Sequence, residues 1–416
     1  MCSREKFVTL IILFTTVLFF SNCGGVSSGA SGSGSTTSGA GGSGGQTIPG
    51  YGEGTGASGQ TSAPRFLYAN PLPGGGPYSA DIQSSGALTV AHAGSANNED
   101  PETLAIDPSG SFIFQTAAGN GAAQGGIFVY AINRNDGSLG SAVGSYLTEQ
   151  SLYADVVDNK GKFLYALGKG GVYAFTIQSG ALTPVAGSPF SAAGASSASL
   201  PQPATLMVVD QTNQFLYVST SGGISGYRID QNSGALTPIV GSPFGVDVSK
   251  GWAIVITPNN SYLYERASQD TKNIYAYSID QMTGALAAIS GSPFSTAACG
   301  TMVTPGTVGI PGPDNMTIAS AGKFMYDNCG IYSLSASTGA ITQVSGSGPG
   351  DWPVISPTGD FLWALTGDQE ACFSCDIGVT TYSVDANTGA LTPVPNSFLL
   401  LTNTEVGSVD SLAITK

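Results

Sequence analysis

A seven-fold internal repeat constrains this chain more than any other feature. An aromatic–aliphatic–aromatic element recurs as FLY at Phe66, FIF at Phe112, FLY at Phe163, FLY at Phe215, YLY at Tyr262, FMY at Phe324 and FLW at Phe361. Behind each comes a second apolar run and then a glycine turn, SSGALT at Gly86 and its kin at Gly137, Gly180, Gly234, Gly284, Gly339 and Gly389. These glycines stand 43 to 55 residues apart. Ahead of every aromatic element but the first lies another turn: IDPSGS, VDNKGK, VDQTNQ, ITPNNS, IASAGK and ISPTGD. Apolar runs of five to seven residues between Gly, Asn, Asp and Pro turns are antiparallel strands. A unit of this length supplies four short strands, which cannot bury an apolar face alone. Seven units closing on themselves make an all-β, seven-bladed propeller of four-stranded antiparallel blades.

The two ends of the repeat predict how the ring closes. It begins in mid-phrase at Arg65 and Phe66, and the chain stops at SVDSLAITK, which matches the strand missing from the first unit. One blade is therefore expected to combine three N-terminal strands with one C-terminal strand.

Composition agrees with a ring of strands and excludes other classes. Only 10% of residues are charged and 59 of 416 are Gly, which rules out a charge-laced helical bundle and suits many tight turns. The formal net charge of −14, with 13 Lys and Arg against 27 Asp and Glu, leaves no basic face for nucleic acid.

The first 63 residues read as export machinery and spacer. Arg4 and Lys6 precede an apolar run over residues 7–20, about 21 Å as a helix and too short to cross a hydrocarbon core of about 30 Å. This is a signal peptide over residues 1–22. Cys23 follows in the manner of a bacterial lipoprotein signal, although Phe20 and Asn22 occupy places where such signals carry Leu and a small residue. Residues 23–63 are the acceptor cysteine and a Gly/Ser-rich tether, with a reach of roughly 35 Å. The expectation is an exported monomer of the bacterial cell envelope, held to the outer membrane or cell surface by a lipid on Cys23, or else secreted after ordinary cleavage of the signal, with the propeller over residues 64–416.

The phrase at residues 215–244, FLYV…GGISGYRIDQNSGALTPIVGSPF, and its kin at 163–190 and 262–294, resemble the lactonase-type seven-bladed propellers, which include 6-phosphogluconolactonase and a muconate-cyclising enzyme. The resemblance implies the fold strongly. As to activity, it implies opening of a lactone by a hydrolase, on anionic substrates that call for converging cations. This chain supplies few. Arg4 leaves with the signal, Arg65 opens the domain, and Arg134 and Arg228 fall in third-strand positions; Arg266 alone is expected at a functional mouth.

Strand alternation assigns that mouth. The turns before the aromatic strands and the SGAL turns share one tight face; the other connections share the opposite face, where the long insertions at 119–126, 188–203, 292–317 and 367–378 fall. Such loops are the default place for a site, here for a small molecule, glycan or protein. The catalytic candidates there are Glu265, Arg266 and Asp327. Asp270 joins them in an acidic mouth, and Asp368, Glu370 and Asp376 are candidates for a divalent cation such as Ca²⁺. The single histidine, His92, leaves no room for a His-rich metal site and reads as a solvated strand end. Four cysteines remain inside the propeller. Their places pair Cys299 with Cys329, and Cys372 with Cys375, as structural bridges in an oxidising compartment, because the acidic CFSC loop does not favour a thiolate. Two readings follow: a binding or interaction module at the envelope, or a lactone hydrolase.

Overall fold

A computed structural model describes residues 65–71, 76–92, 101–119, 125–148, 151–195, 206–245, 251–267, 272–296, 315–367, 377–402 and 409–415. By its contacts the chain divides into Met1–Ala57 and Ser58–Lys416. The described residues lie in the second unit, and they form seven antiparallel sheets and no helix.

Blade two shows the repeat: Pro101–Ile106, Phe112–Ala117, Gly125–Ala131 and Gly144–Thr148, hydrogen-bonded in that order. The first strands of successive blades adjoin one another around the axis: Pro101–Ile106, Leu152–Val157, Met207–Val209, Gly251–Ile256, Thr317–Ile318, Asp351–Ile355 and finally Val409–Ile414. The last belongs to blade one, where it pairs with Phe66–Pro71 while Tyr78–Ile82 and Leu88–His92 complete the sheet. The expected closure by three N-terminal strands and one C-terminal strand is what the chain does. Blades five and seven differ from the four-strand expectation by one extra short strand each, Phe294–Ser295 and Leu399–Thr402, added beside the third strand.

Among the described residues the buried apolar side chains sort into seven clusters, one between each pair of neighbouring blades. This explains why the aromatic strand reads as a continuous apolar run. It is covered on both faces, as in Phe163–Gly168, where all six residues are buried. Its first and third residues face the following blade and its second and fourth the preceding one: Phe66 and Tyr68 pack toward blade two, Leu67 and Ala69 toward blade seven.

The SGAL glycines complete these junctions. Gly234 of blade four holds φ +77°, and a Cβ placed there would come 2.5 Å from the ring of Phe163 in blade three. Its carbonyl accepts the Tyr165 hydroxyl at 3.1 Å. The same hydroxyl-to-carbonyl bond joins Tyr68 to Gly137, Tyr217 to Gly284 and Tyr264 to Gly339, and the Trp363 indole N–H makes it to Gly86 across the closing junction. A left-handed backbone pressed on a ring is available only to glycine, so each turn is locked to its neighbour.

Candidate functional site at the loop-bearing face

The aromatic strands run from the tight face toward the loop-bearing face, so their fourth and fifth residues stand nearest the loops. The fifth residue of one blade meets the fourth of the next. At the junction of blades one and two, Gln115 Nε2 donates to Asn70 Oδ1 at 2.6 Å and receives at Oε1 the Tyr130 hydroxyl at 3.1 Å. At blades four and five, the Ser219 hydroxyl donates to Glu265 at 2.5 Å. At blades five and six, Arg266 donates to Asp327 Oδ2 through Nε at 3.0 Å and Nη2 at 2.7 Å, and the Tyr332 hydroxyl donates to Asp327 Oδ1 at 3.1 Å.

Two further junctions take their carboxylate from the innermost strand. Asp155 lies opposite the small Ala166 in the ladder, and its Oδ1 accepts the Thr103 hydroxyl at 2.7 Å, with Thr116 hydrogen-bonded to Thr103 behind it. Between blades six and seven, Asn328 Nδ2 donates to Asp351 at 2.9 Å. The remaining two junctions are apolar at this level, Leu167 against Val218 and Leu365 against Ala69.

The expected catalytic residues are therefore placed as follows. Arg266 and Asp327 come together, both 0% exposed, as the one ion pair among the described residues. Glu265, their neighbour in sequence, points the opposite way because strand residues alternate, and engages blade four. Burial pushes the Glu265 carboxyl up to about 7 despite the Ser219 hydrogen bond, and does the same to Asp155, whose Oδ2 is sealed without a partner. These carboxyls hold blades together, with a protonation state balanced near neutrality.

Arg266 was the cation expected at the mouth; its guanidinium is enclosed instead, bonded also to Thr296 at 3.2 Å and to Tyr332 at 2.7 Å. The other described arginines bind backbone carbonyls on the tight face. Arg65 reaches Asn135, Arg134 reaches Ser109 and Arg228 reaches Met282. Arg134 sits in the turn after the third strand rather than in it. Arg65 and Arg228 also lie over the rings of Phe66 and Phe215, at 5.0 and 4.9 Å. Lys169, at the turn after the second strand of blade three, is exposed toward the loops.

Asp270, Asp368, Glu370, Asp376, Cys23, Cys299, Cys372 and Cys375 lie outside the described residues. Among those described, no three of His, Cys, Asp and Glu group as a metal site. His92 is exposed at its strand end. Cys329 is buried and disulfide-bonded. Asn70, Gln115, Thr103, Asp155, Asn328 and Asp351 were not singled out from the sequence. A comparison of fifth and fourth residues in successive aromatic elements finds the first two, as it finds Ser219 with Glu265 and Arg266 with Asp327. Those contributed by the innermost strands carry no such signature.

Residues 160–301, spanning blades three to five, match the family model described as Lactonase, 7-bladed beta-propeller. No curated protein matches significantly. Solved structures similar to the chain include a presumptive 6-phosphogluconolactonase from Bacteroides uniformis, 17% identical with a TM-score of 0.66 over 85% of this chain and 99% of that one. Another from Bacteroides fragilis is 18% identical, TM-score 0.62, over 87% and 100%. The periplasmic gluconolactonase of Pseudomonas aeruginosa is 15% identical, TM-score 0.58, over 85% and 99%. At such identities the likeness is one of fold.

Proposed function

We propose that this chain, a seven-bladed propeller of the lactonase type, takes neutral sugar lactones at its loop-bearing face and opens them by hydrolysis, outside the cytoplasm. The observation that carries the substrate class is the placement of the described arginines: three bind turn carbonyls on the tight face and the fourth is sealed in an ion pair. A phosphorylated lactone calls for an arginine fork at the mouth, where the exposed cations among the described residues are the lysines Lys169 and Lys272; a neutral lactone needs no such fork. The name of the periplasmic gluconolactonase is consistent with a substrate of that kind. In the reaction, water adds to the lactone carbonyl carbon, the ring C–O bond breaks, and the water's proton ends on the released ring oxygen, leaving a hydroxy acid. A carboxyl titrating near neutrality suits the general base this needs, and Glu265 is the first to substitute. Glu265, Arg266 and Asp327 are enclosed, and this favours a second reading, in which the propeller binds a small molecule, glycan or protein at the envelope without turning it over.

Purified protein incubated with glucono-lactone and with its 6-phosphate, each with and without EDTA, separates the readings. Faster opening of the neutral lactone, abolished in Glu265→Gln or Asp327→Asn with the fold intact, supports hydrolysis. Preference for the phosphorylated lactone overturns the neutral substrate class. Saturable binding with no turnover establishes the binding module. Loss of turnover in EDTA would implicate a divalent cation such as Ca²⁺ at Asp368, Glu370 and Asp376. Export and anchoring through Cys23 belong to the same proposal. A Cys23→Ala protein that still partitions with membranes would refute the lipid. Mass spectrometry without reduction is expected to find Cys299 joined to Cys329 and Cys372 joined to Cys375.

A further inference from the structure

We propose that the cleft between blades five and six on the tight-turn face is a second binding site, shaped for a neutral hydroxylated ring such as a hexose. It encloses about 260 Å³, space for one small ring rather than a large cofactor. In a chain of net charge −14, no residue lining it is charged. Its walls combine apolar surface from Tyr262, Tyr264, Pro258 and Leu334 with hydroxyl and amide groups from Thr257, Asn259, Ser320 and Ser335. An aromatic wall with neutral donors and acceptors suits a sugar, which has apolar C–H faces and a hydroxyl rim, and offers nothing to pair with an anion or a cation.

The cleft is open for a reason visible in the repeat. In blades four and five, the residue after the turn Asp fills the corresponding space: Gln231 donates to the carbonyl of Asn213 and Gln281 to that of Asn260. In blade two, Arg134 does so, reaching Ser109 and Ser111. Blade six has Ala336 at that position, too short to reach. From the other side, Lys162 of blade three stretches to the carbonyls of Gln231 and Asn232 at 2.7 and 3.0 Å. Its counterpart in blade five is Ser261. Both residues are thus short at this junction, which leaves its Tyr262 side uncovered; Ser111 in blade two and Ala386 in blade seven are the short residues at the same two positions elsewhere in the ring.

The site lies on the face opposite the loops, so it stands or falls independently of lactone hydrolysis. Isothermal titration with glucose, galactose and mannose, with gluconate and glucose 6-phosphate as anionic controls, is the direct test. The expected result is saturable binding of at least one neutral sugar and weaker binding of the anions. In Ala336→Gln, which restores the plug, affinity is expected to fall about tenfold or more, with melting temperature and turnover of any lactone unchanged. Ser261→Lys closes the cleft from the other blade and is expected to act alike, so a folding defect in one variant leaves the other decisive. No binding by any sugar, tighter binding of the anions, or binding that survives both substitutions would overturn the proposal.

Discussion

At Glu265 one carboxyl links the junction of blades four and five to the pH of its surroundings. The side chain is 1% exposed and its pKa is raised from the ordinary glutamate range to about 7 by burial. The folded state therefore holds a proton that the unfolded chain releases near pH 4. The resulting stabilisation is complete below pH 4, shrinks as the pH rises, and is gone above about 7, amounting to about 3 kcal/mol at most. Thermal melts of Glu265→Gln, compared with the parent from pH 4 to 8, are expected to show a flatter pH dependence, since the amide keeps an acceptor for Ser219 and cannot ionise. A parallel pair of curves would contradict this account. Asp155, raised in the same way, supplies the residual slope. Gly234→Ala is a second test at this scale. The new methyl meets the Phe163 ring on a left-handed backbone, so a loss of about 2 kcal/mol or more is expected in denaturant melts.

At the scale of the element, the aromatic strand is the unit that joins blades. Its apolar residues make adjoining cores and its last two positions make polar links whose chemistry changes from junction to junction. Where Arg266 and Asp327 meet, both charges are sealed, and removing one takes from the other the opposite charge it is buried against. Arg266→Met alone is expected to cost about 3–5 kcal/mol, and the double change Arg266→Met with Asp327→Leu to restore much of it, measured as a double-mutant cycle by urea unfolding. Additive effects would mean that the pair is not coupled. The entry turns carry a related device. In four of them glycine takes the left-handed position, at Gly110, Gly161, Gly322 and Gly359, but blades four and five use Asn213 and Asn260 at φ +58° and +57°. Each asparagine accepts a backbone N–H of the preceding blade's turn, Asn213 from Asn159 and Asn260 from Gln211, so the conformational cost is offset by a link that glycine cannot make.

For the whole molecule, stability resides in a closed circle of seven junctions, each holding a core that two blades share, so that no blade has a core of its own to fall back on. The closing strand Val409–Ile414 pairs with Phe66–Pro71, and Trp352 donates its indole N–H to Leu412. Deleting residues 409–416 exposes an inner edge on blade one and removes part of two junctions at once. The truncated chain is expected to lose cooperative thermal unfolding altogether. An unchanged melting temperature would show that closure is dispensable.

The fold was legible in the sequence because it is periodic: seven aromatic elements and seven glycine turns dictate strands, turns, blade number and the face that carries the insertions, whatever the contacts in detail. The site was legible only in part. Glu265, Arg266 and Asp327 stood out as charged residues ending apolar strands, but strand alternation sends Glu265 to blade four and Arg266 to blade six, and that depends on which neighbour each face meets. Asp155 and Asp351 reach the same level of the ring from innermost strands, and the cleft beside Tyr262 exists because two residues far apart in sequence, Ser261 and Ala336, are short at one junction. Local periodicity is a property of the chain alone. Burial, pairing and open space are properties of two surfaces brought together, and only the closed ring decided those.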